Sequence, residues 1–161
     1  MVRSQFSVSA VSRRSFLFGG SALALSACTG NRKATPPAAP MVGNTPEMQA
    51  LVAKYARAYD MPESLIHRVI RRESGYNAGA RNGPYYGLMQ ILPQTARTMG
   101  HTGPAEELLD AETNLKYAGK YLRGAWLVSR RNEDRAVMWY AKGYYYEAKR
   151  MGLLKEVGLR S

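Results

Sequence analysis

The sequence predicts an all-α fold: a compact helical domain behind a long leader that does not fold with it. Three observations carry that expectation. Apolar residues recur at helical spacing in several separate segments, and prolines or capping side chains stand just ahead of them. No run of alternating β-branched residues offers a strand. At 161 residues, with 45% hydrophobic composition and no internal repeat, the chain has room for one domain.

The start of the chain is built for export. Ser12-Arg13-Arg14-Ser15-Phe16-Leu17 reads as a twin-arginine signal, although a basic start also suits the general export route. The apolar run from Phe16 to Leu25 is too short to span a bilayer as a mature helix. Leu25-Ser26-Ala27-Cys28 looks like a lipobox, in which small residues precede a cysteine that is acylated and becomes the new N-terminus. Residues 1–27 are therefore expected to be a signal peptide and Cys28 the lipidation site. Cys28 is the only cysteine, so no intrachain disulfide can form. Thr29 is not the aspartate that commonly retains lipoproteins in the inner membrane, which points to an outer-membrane tether facing the periplasm. Residues 28–45 are rich in Pro, Ala and polar residues without apolar period, so they cannot bury enough surface to offset their ordering entropy. Extended at about 3.1 Å per residue, this tether reaches roughly 50 Å.

The folding unit is expected over residues 46–161. Thr45 is a candidate cap for a first helix whose face is Met48, Leu51, Val52, Tyr55, Ala56 and Tyr59. Pro62 suits a first helical position, with Asp60 as a plausible cap, and Leu65, Ile66, Val69 and Ile70 then repeat at helical spacing. Pro93 opens a third helix and Glu106 to Leu109 a short turn. A long helix follows from Glu112 to Arg130, in which Gly119 and Ala125 are small enough to let a neighbour approach closely. Further helices are expected over Glu133 to Lys142 and Tyr144 to Arg150.

The formal charge is +11, and removing Arg3, Arg13 and Arg14 with the leader would lower it to +8. A basic surface suits nucleic acid, acidic envelope polymers or anionic lipid equally well. Export and the lack of an aromatic-plus-basic strand pattern argue against nucleic acid. His67 and His101 are the only histidines, so with Cys28 acylated no His/Cys metal cluster and no cofactor is expected. His67 is expected to be structural. No phosphate-binding loop appears, and Ser74 has no evident histidine partner for nucleophilic work.

The stretch Arg71 to Thr95 is the chemical centre. Glu73 falls three residues past Ile70 and seven past Ile66, so it continues the apolar stripe of its helix, while Arg68, Arg71 and Arg72 are expected to point elsewhere. From Ser74 to Ala105 there is no other Asp or Glu. A lone carboxyl in uncharged, aromatic surroundings is suited to a general acid, because such surroundings disfavour the ionised form. Periodicity alone equally allows a helix-end Glu that turns to solvent or pairs with an arginine.

Glu73-Ser74-Gly75-Tyr76-Asn77, then Gly87-Leu88-Met89-Gln90-Ile91 and Pro93-x-Thr95-Ala96, resembles the catalytic signature of lytic transglycosylases with a goose-lysozyme-like fold. Asn114-Leu115 with Gly119 and Tyr121-Leu122 is similar to that family's next helix. Trp139-Tyr140-Ala141-Lys142-Gly143 stands where the family usually has a Tyr-Asn-Ala-Gly segment. The resemblance runs from about Pro46 to about Met151 and implies a lysozyme-like helical domain acting on peptidoglycan; a monomer is expected. It implies Glu73 as the catalytic residue, first acid and then base. The cut bond would be the β-1,4 link between N-acetylmuramic acid and N-acetylglucosamine, closed as a 1,6-anhydro ring without water. Ser74 is expected beside Glu73 as a hydrogen-bonding neighbour, and Met89 and Gln90 as cleft lining. Tyr140 is expected close to the acid. Tyr85 and Tyr86 fall in the intervening loop, where sugar stacking is natural, and Ser74, Tyr86, Met89, Gln90 and Tyr140 are the residues taken for substrate binding.

The sequence departs from that pattern in three places. The loop from Glu73 to Gly87 is one residue shorter, Ala78 replaces a proline, and Ala141 stands where Asn is common. The last removes an amide that often positions substrate or acid. A peptidoglycan-binding or scaffolding lipoprotein with a weakened site therefore stays open, as does a lysozyme that uses water and needs a second carboxylate.

Overall fold

The computed structural model describes residues 43–159. The expected signal peptide, Cys28 and the tether as far as residue 42 lie outside the described residues. Helix α1 spans Pro46–Ala58, its start fixed by Thr45, whose side-chain oxygen accepts from the Met48 N–H at 3.3 Å. Gly43, within the expected tether, already lies against the Tyr76 backbone.

Helix α2 spans Glu63–Glu73, and here the expected cap is corrected. Asp60 does not cap it. Asp60 sits in the left-handed region at φ +49°, where its N–H bonds Arg57 O and the next N–H, of Met61, bonds Ala56 O. Those two bonds are the C-terminal closure of α1, so the residue that ends one helix is unavailable to begin the next. Pro62 takes the cap position with extended backbone and no side-chain bond, and Asp60 pairs with Arg131 at 2.6 Å instead.

A two-residue antiparallel ribbon follows, β1 Arg81–Asn82 against β2 Tyr85–Tyr86. Strands this short carry no alternation that a sequence can reveal. Helix α3, Pro93–Thr98, opens at the expected proline, and a 3-10 turn covers Ala105–Leu109. Helix α4, Ala111–Val128, is capped by Asp110, whose carboxylate accepts from Thr113 N–H at 2.8 Å. It stops short of Arg130 because Arg130 and Arg131 both take positive φ and close it onto Leu127 and Trp126 carbonyls. Helix α5 covers Glu133–Lys142 and α6 covers Tyr145–Arg150. Tyr144, expected inside α6, precedes it as a buried anchor whose hydroxyl donates to Tyr121 O at 2.9 Å.

Helix α4 is the axis of the core. Leu115, Ala118, Leu122 and Ala125 are fully buried, with α1, α3, α5 and the 3-10 turn packed around them. Gly119 admits the ring of Tyr59, as expected: a Cβ there would stand 3.0 Å from Tyr59 Cε2. Beyond α6, Leu153 to Leu159 turns back, and Val157 completes the core.

Asn114 on α4 is wholly buried and ties three chain segments together. Its Nδ2 donates to Tyr86 O at 2.9 Å and Leu108 O at 2.8 Å, while its Oδ1 accepts from Met89 N–H at 3.0 Å. Asn114→Ala should therefore strand a buried N–H and weaken two carbonyls, costing roughly 3 kcal/mol. A thermal melt followed by circular dichroism should fall by roughly 10 °C. A melt within two or three degrees of wild type would mean that this loop is held by other contacts.

Candidate active site

The site begins where α2 ends. Leu65, Ile66, Val69 and Ile70 are buried to within 1% of full coverage, and Glu73 continues that face with its side chain 24% exposed. Ser74 leaves the helix at φ −137°, and both its N–H and that of Gly75 bond Ile70 O. The Ser74 hydroxyl donates to Leu88 O at 2.7 Å. Ser74 is thus a strut between the helix end and the facing loop, not the hydrogen-bonding neighbour of Glu73 that was expected.

The facing loop is locked at its base by two bonds between Tyr86 and Ile91, each N–H···O at 3.1 Å. Gly87 enters it at φ +75° beneath Asn114, where a Cβ would stand 2.2 Å from Leu108 O and 2.3 Å from Asn114 Nδ2, so no other residue fits. Gln90 closes it at φ +48°, a costly conformation for a residue with a side chain. Its amide offsets that cost, donating from Nε2 to Gly87 O at 2.8 Å and Ala80 O at 3.2 Å. Because both partners are acceptors, the nitrogen must face them, which leaves Oε1 as the amide's remaining polar atom.

Between the helix end and this loop lies a cavity of about 250 Å³ lined by Arg72, Glu73, Asn82, Tyr85, Gln90, Tyr140 and Ala141. It adjoins a second, of about 220 Å³, which shares Tyr85, Gln90, Tyr140 and Ala141 and adds residues such as Thr95, Tyr121 and Lys142. The four shared residues make one continuous cleft. A more open hollow of about 520 Å³ lies at the α1–α2 turn, but its Asp60 and Arg131 are already paired. The cleft is the stronger candidate because it alone joins Glu73 to aromatic and amide side chains.

Burial pushes the Glu73 carboxyl above the ordinary glutamate range, against the opposing pull of Arg72, whose Nε lies 3.6 Å from Oε1. Tyr140 is held far above the ordinary tyrosine range, by burial first and then by the nearby charge of Glu73. Its hydroxyl keeps its proton and donates it to Met89 O at 2.8 Å. Tyr121 stands edge-on to Tyr140 with ring centres 5.5 Å apart, extending the aromatic wall into the second cavity.

Glu73, Gln90 and Tyr140 are brought together as expected, whereas two other residues serve the scaffold. Met89 is fully buried and contributes only backbone, its N–H to Asn114 and its carbonyl to Tyr140. Tyr86 is buried beneath the guanidinium of Arg81, 4.5 Å from its ring centre, and Tyr85 lines the cleft in its place. Adjacent residues on a strand face opposite ways, so only one of the pair can meet substrate. His67 lies away from the cleft, its Nδ1 2.8 Å from the Tyr76 hydroxyl, with burial holding it below the usual histidine range. Asn82, Thr95, Tyr121 and Lys142 are further lining residues; the last three stand within the family-like segments, which gave them no role of their own. Arg72 was expected to face elsewhere, yet it reaches into the acid's cavity.

The described residues form an all-α, lysozyme-like domain with one carboxyl in an aromatic- and amide-lined cleft. A family model described as Transglycosylase SLT domain matches residues 50–152, and the chain belongs to that family. It is a peptidoglycan lytic transglycosylase.

The Tyr140 hydroxyl fixes the loop carbonyl next to Gln90, so Tyr140→Phe acts on geometry and stability together. Cleavage of purified sacculi should slow about 10-fold, and unfolding in urea should show a loss of about 1 kcal/mol. A variant with full rate and full stability would remove Tyr140 from the site's support.

Proposed function

We propose that Glu73 alone carries both proton transfers in a non-hydrolytic cut between N-acetylmuramic acid and N-acetylglucosamine. One observation carries this reading. Among the residues lining the two cavities of the cleft, Glu73 is the only carboxylic acid. Hydrolysis with inversion or retention calls for a second carboxyl about 5 to 9.5 Å away. Two acids from other segments are engaged elsewhere: Asp110 caps α4, and Glu133 accepts from Ser64 at 2.8 Å beside a different hollow.

Protonated Glu73 gives its proton to the glycosidic oxygen as the C1–O bond breaks, leaving positive charge at C1 of the muramyl ring. The C6 hydroxyl oxygen of the same ring then bonds to C1, and its proton passes to the Glu73 carboxylate. Bonds and protons balance without water, and the acid is regenerated. Gln90 Oε1 is available to a sugar hydroxyl, and Tyr85, 42% exposed, offers a stacking face. Since the first step needs the protonated form, the rate falls as pH rises through the raised Glu73 value.

A binding-only role is favoured by one feature, Ala141, whose methyl group lines both cavities in place of the amide common in the family. Anhydro ends released by the wild type exclude that role, and Glu73→Gln then tests the acid. It keeps shape and hydrogen bonds but has no proton to give, so release of anhydro-muropeptides should drop by at least about 100-fold. Raised folded-state affinity for a proton means that wild-type stability falls as pH rises through the window from the ordinary to the raised value. The amide avoids that loss, so the variant should melt no lower than wild type above the window. Comparable anhydro product from Glu73→Gln would falsify the assignment; products with reducing ends from the wild type would make the enzyme a hydrolase.

We also place the mature protein on the outer membrane, facing the periplasm, as a monomer anchored through acylated Cys28 and reaching glycan across residues 28–45. Lipobox-like residues Leu25 to Cys28 and Thr29 support this. Several acyl chains together hold firmly where one holds marginally. Cys28→Ala should release the protein into the soluble periplasmic fraction or leave an uncleaved precursor. Unchanged membrane partition after signal cleavage would rule the anchor out.

A further inference from the structure

We propose that Arg72 is a positioning residue for the acid, stabilising the ionised Glu73 carboxylate in the interval between its two proton transfers. The inference rests on Glu73 as acid and base. Neighbours in sequence on a regular helix diverge by about 100° and do not face each other. Arg72 nevertheless brings its Nε to 3.6 Å from Glu73 Oε1 and lines the same cavity. The other arginines of α2 are placed differently: Arg68 pairs with Asp134 at 2.7 Å, and Arg71 lines the hollow that holds His67 and Tyr76. Among the described residues, Glu73 is the sole ion-pair partner of Arg72.

The groups that face Glu73 from each packed element are few. Helix α5 offers Tyr140, which stays neutral, and Ala141; the ribbon offers Asn82 and Tyr85; the loop offers Gln90. Lys142 lines only the adjoining cavity. Arg72 is thus the one charged neighbour of the acid in its own cavity. At 3.6 Å the contact is too long for a locked hydrogen bond, so the guanidinium attracts the carboxylate without fixing it. Such an attraction is small with Glu73 protonated and strongest in the ionised intermediate, when the carboxylate waits for the C6 hydroxyl. Burial favours the protonated form and Arg72 the ionised one, so removing the guanidinium leaves burial unopposed.

Two readouts test this. The first is the titration of the Glu73 side-chain carboxyl by carbon NMR in wild type, Arg72→Gln and Arg72→Lys, which needs no activity. Its midpoint should rise in Arg72→Gln and rise less in Arg72→Lys. The second is the pH profile of anhydro-muropeptide release at low salt. On its alkaline limb Arg72→Gln should run about threefold faster than wild type relative to its own plateau, the size expected of a half-exposed ion pair. High salt should move the wild-type limb in the same direction and the Arg72→Gln limb less. With Arg72 53% exposed, the variants should melt as wild type does. Should Arg72→Gln fail to fold, the wild-type carboxyl titration at low and high salt replaces it, and a salt-independent midpoint overturns the proposal. Coincident titration midpoints, or limbs that move equally with salt, also overturn it while leaving the Glu73 assignment intact. A wild type that releases no anhydro ends would overturn the proposed reaction instead.

Discussion

The constraint on which this domain depends is the buried amide of Asn114. It meets the carbonyls of Tyr86 and Leu108 and the N–H of Met89, so one side chain holds the cleft-forming loop against the central helix. A buried polar group is costly unless satisfied, and here the satisfied arrangement permits a single placement of the loop. Much else follows from that contact. Gly87 must lack a side chain because the amide passes directly over it. Gln90 can stay in the left-handed region because the loop that strains it also supplies carbonyls for its own amide. Tyr140 donates to Met89 O, the carbonyl of the same residue whose N–H Asn114 holds.

The proposed chemistry rests on a balance of opposed environments around one carboxyl. The α2 stripe sets Glu73 at the edge of the core, where partial burial raises its proton affinity, and Arg72 on the rim lowers it. A fully buried glutamate would seldom ionise, and a fully exposed one would seldom be protonated near neutrality. Its intermediate position suits the proposed role, in which one group gives up a proton and recovers it within one turnover. The fully engaged polar atoms of Ser74, Tyr140 and Asn114 do not take part in that exchange. They keep helix end, loop and α5 at fixed separation, which is what the proposed cut without water would need for the sugar's own hydroxyl to reach C1.

The helices were legible because each leaves a local record. Thr45 and Pro93 mark beginnings, and the spacing of Leu65, Ile66, Val69 and Ile70 carries on to Glu73. Errors came where one residue serves two elements. Asp60 reads as a cap for α2, yet it closes α1, and nothing in its neighbours ranks the two uses. The ribbon left no trace, since two residues per strand show no period. Of the site, Glu73, Gln90 and Tyr140 were legible through the motif. Tyr86 and Met89 were misassigned because a motif names positions without saying which atoms face the cleft.

The sequence by itself determined which segments are helical, where the acid sits on its helix, and that no second carboxyl lies near it along the chain. These are local facts, set by periodicity, capping and composition over a few residues. Tertiary structure decided that Tyr85 and not Tyr86 meets the cleft, that Ser74 and Met89 belong to the scaffold, and that Arg72 faces the acid. It also gathered Asn82, Tyr121 and Lys142 along one cleft from three distant segments. Side-chain direction and long-range proximity depend on how helices pack and on which buried polar groups find partners. Those are properties of the whole core, and no short window of sequence contains them.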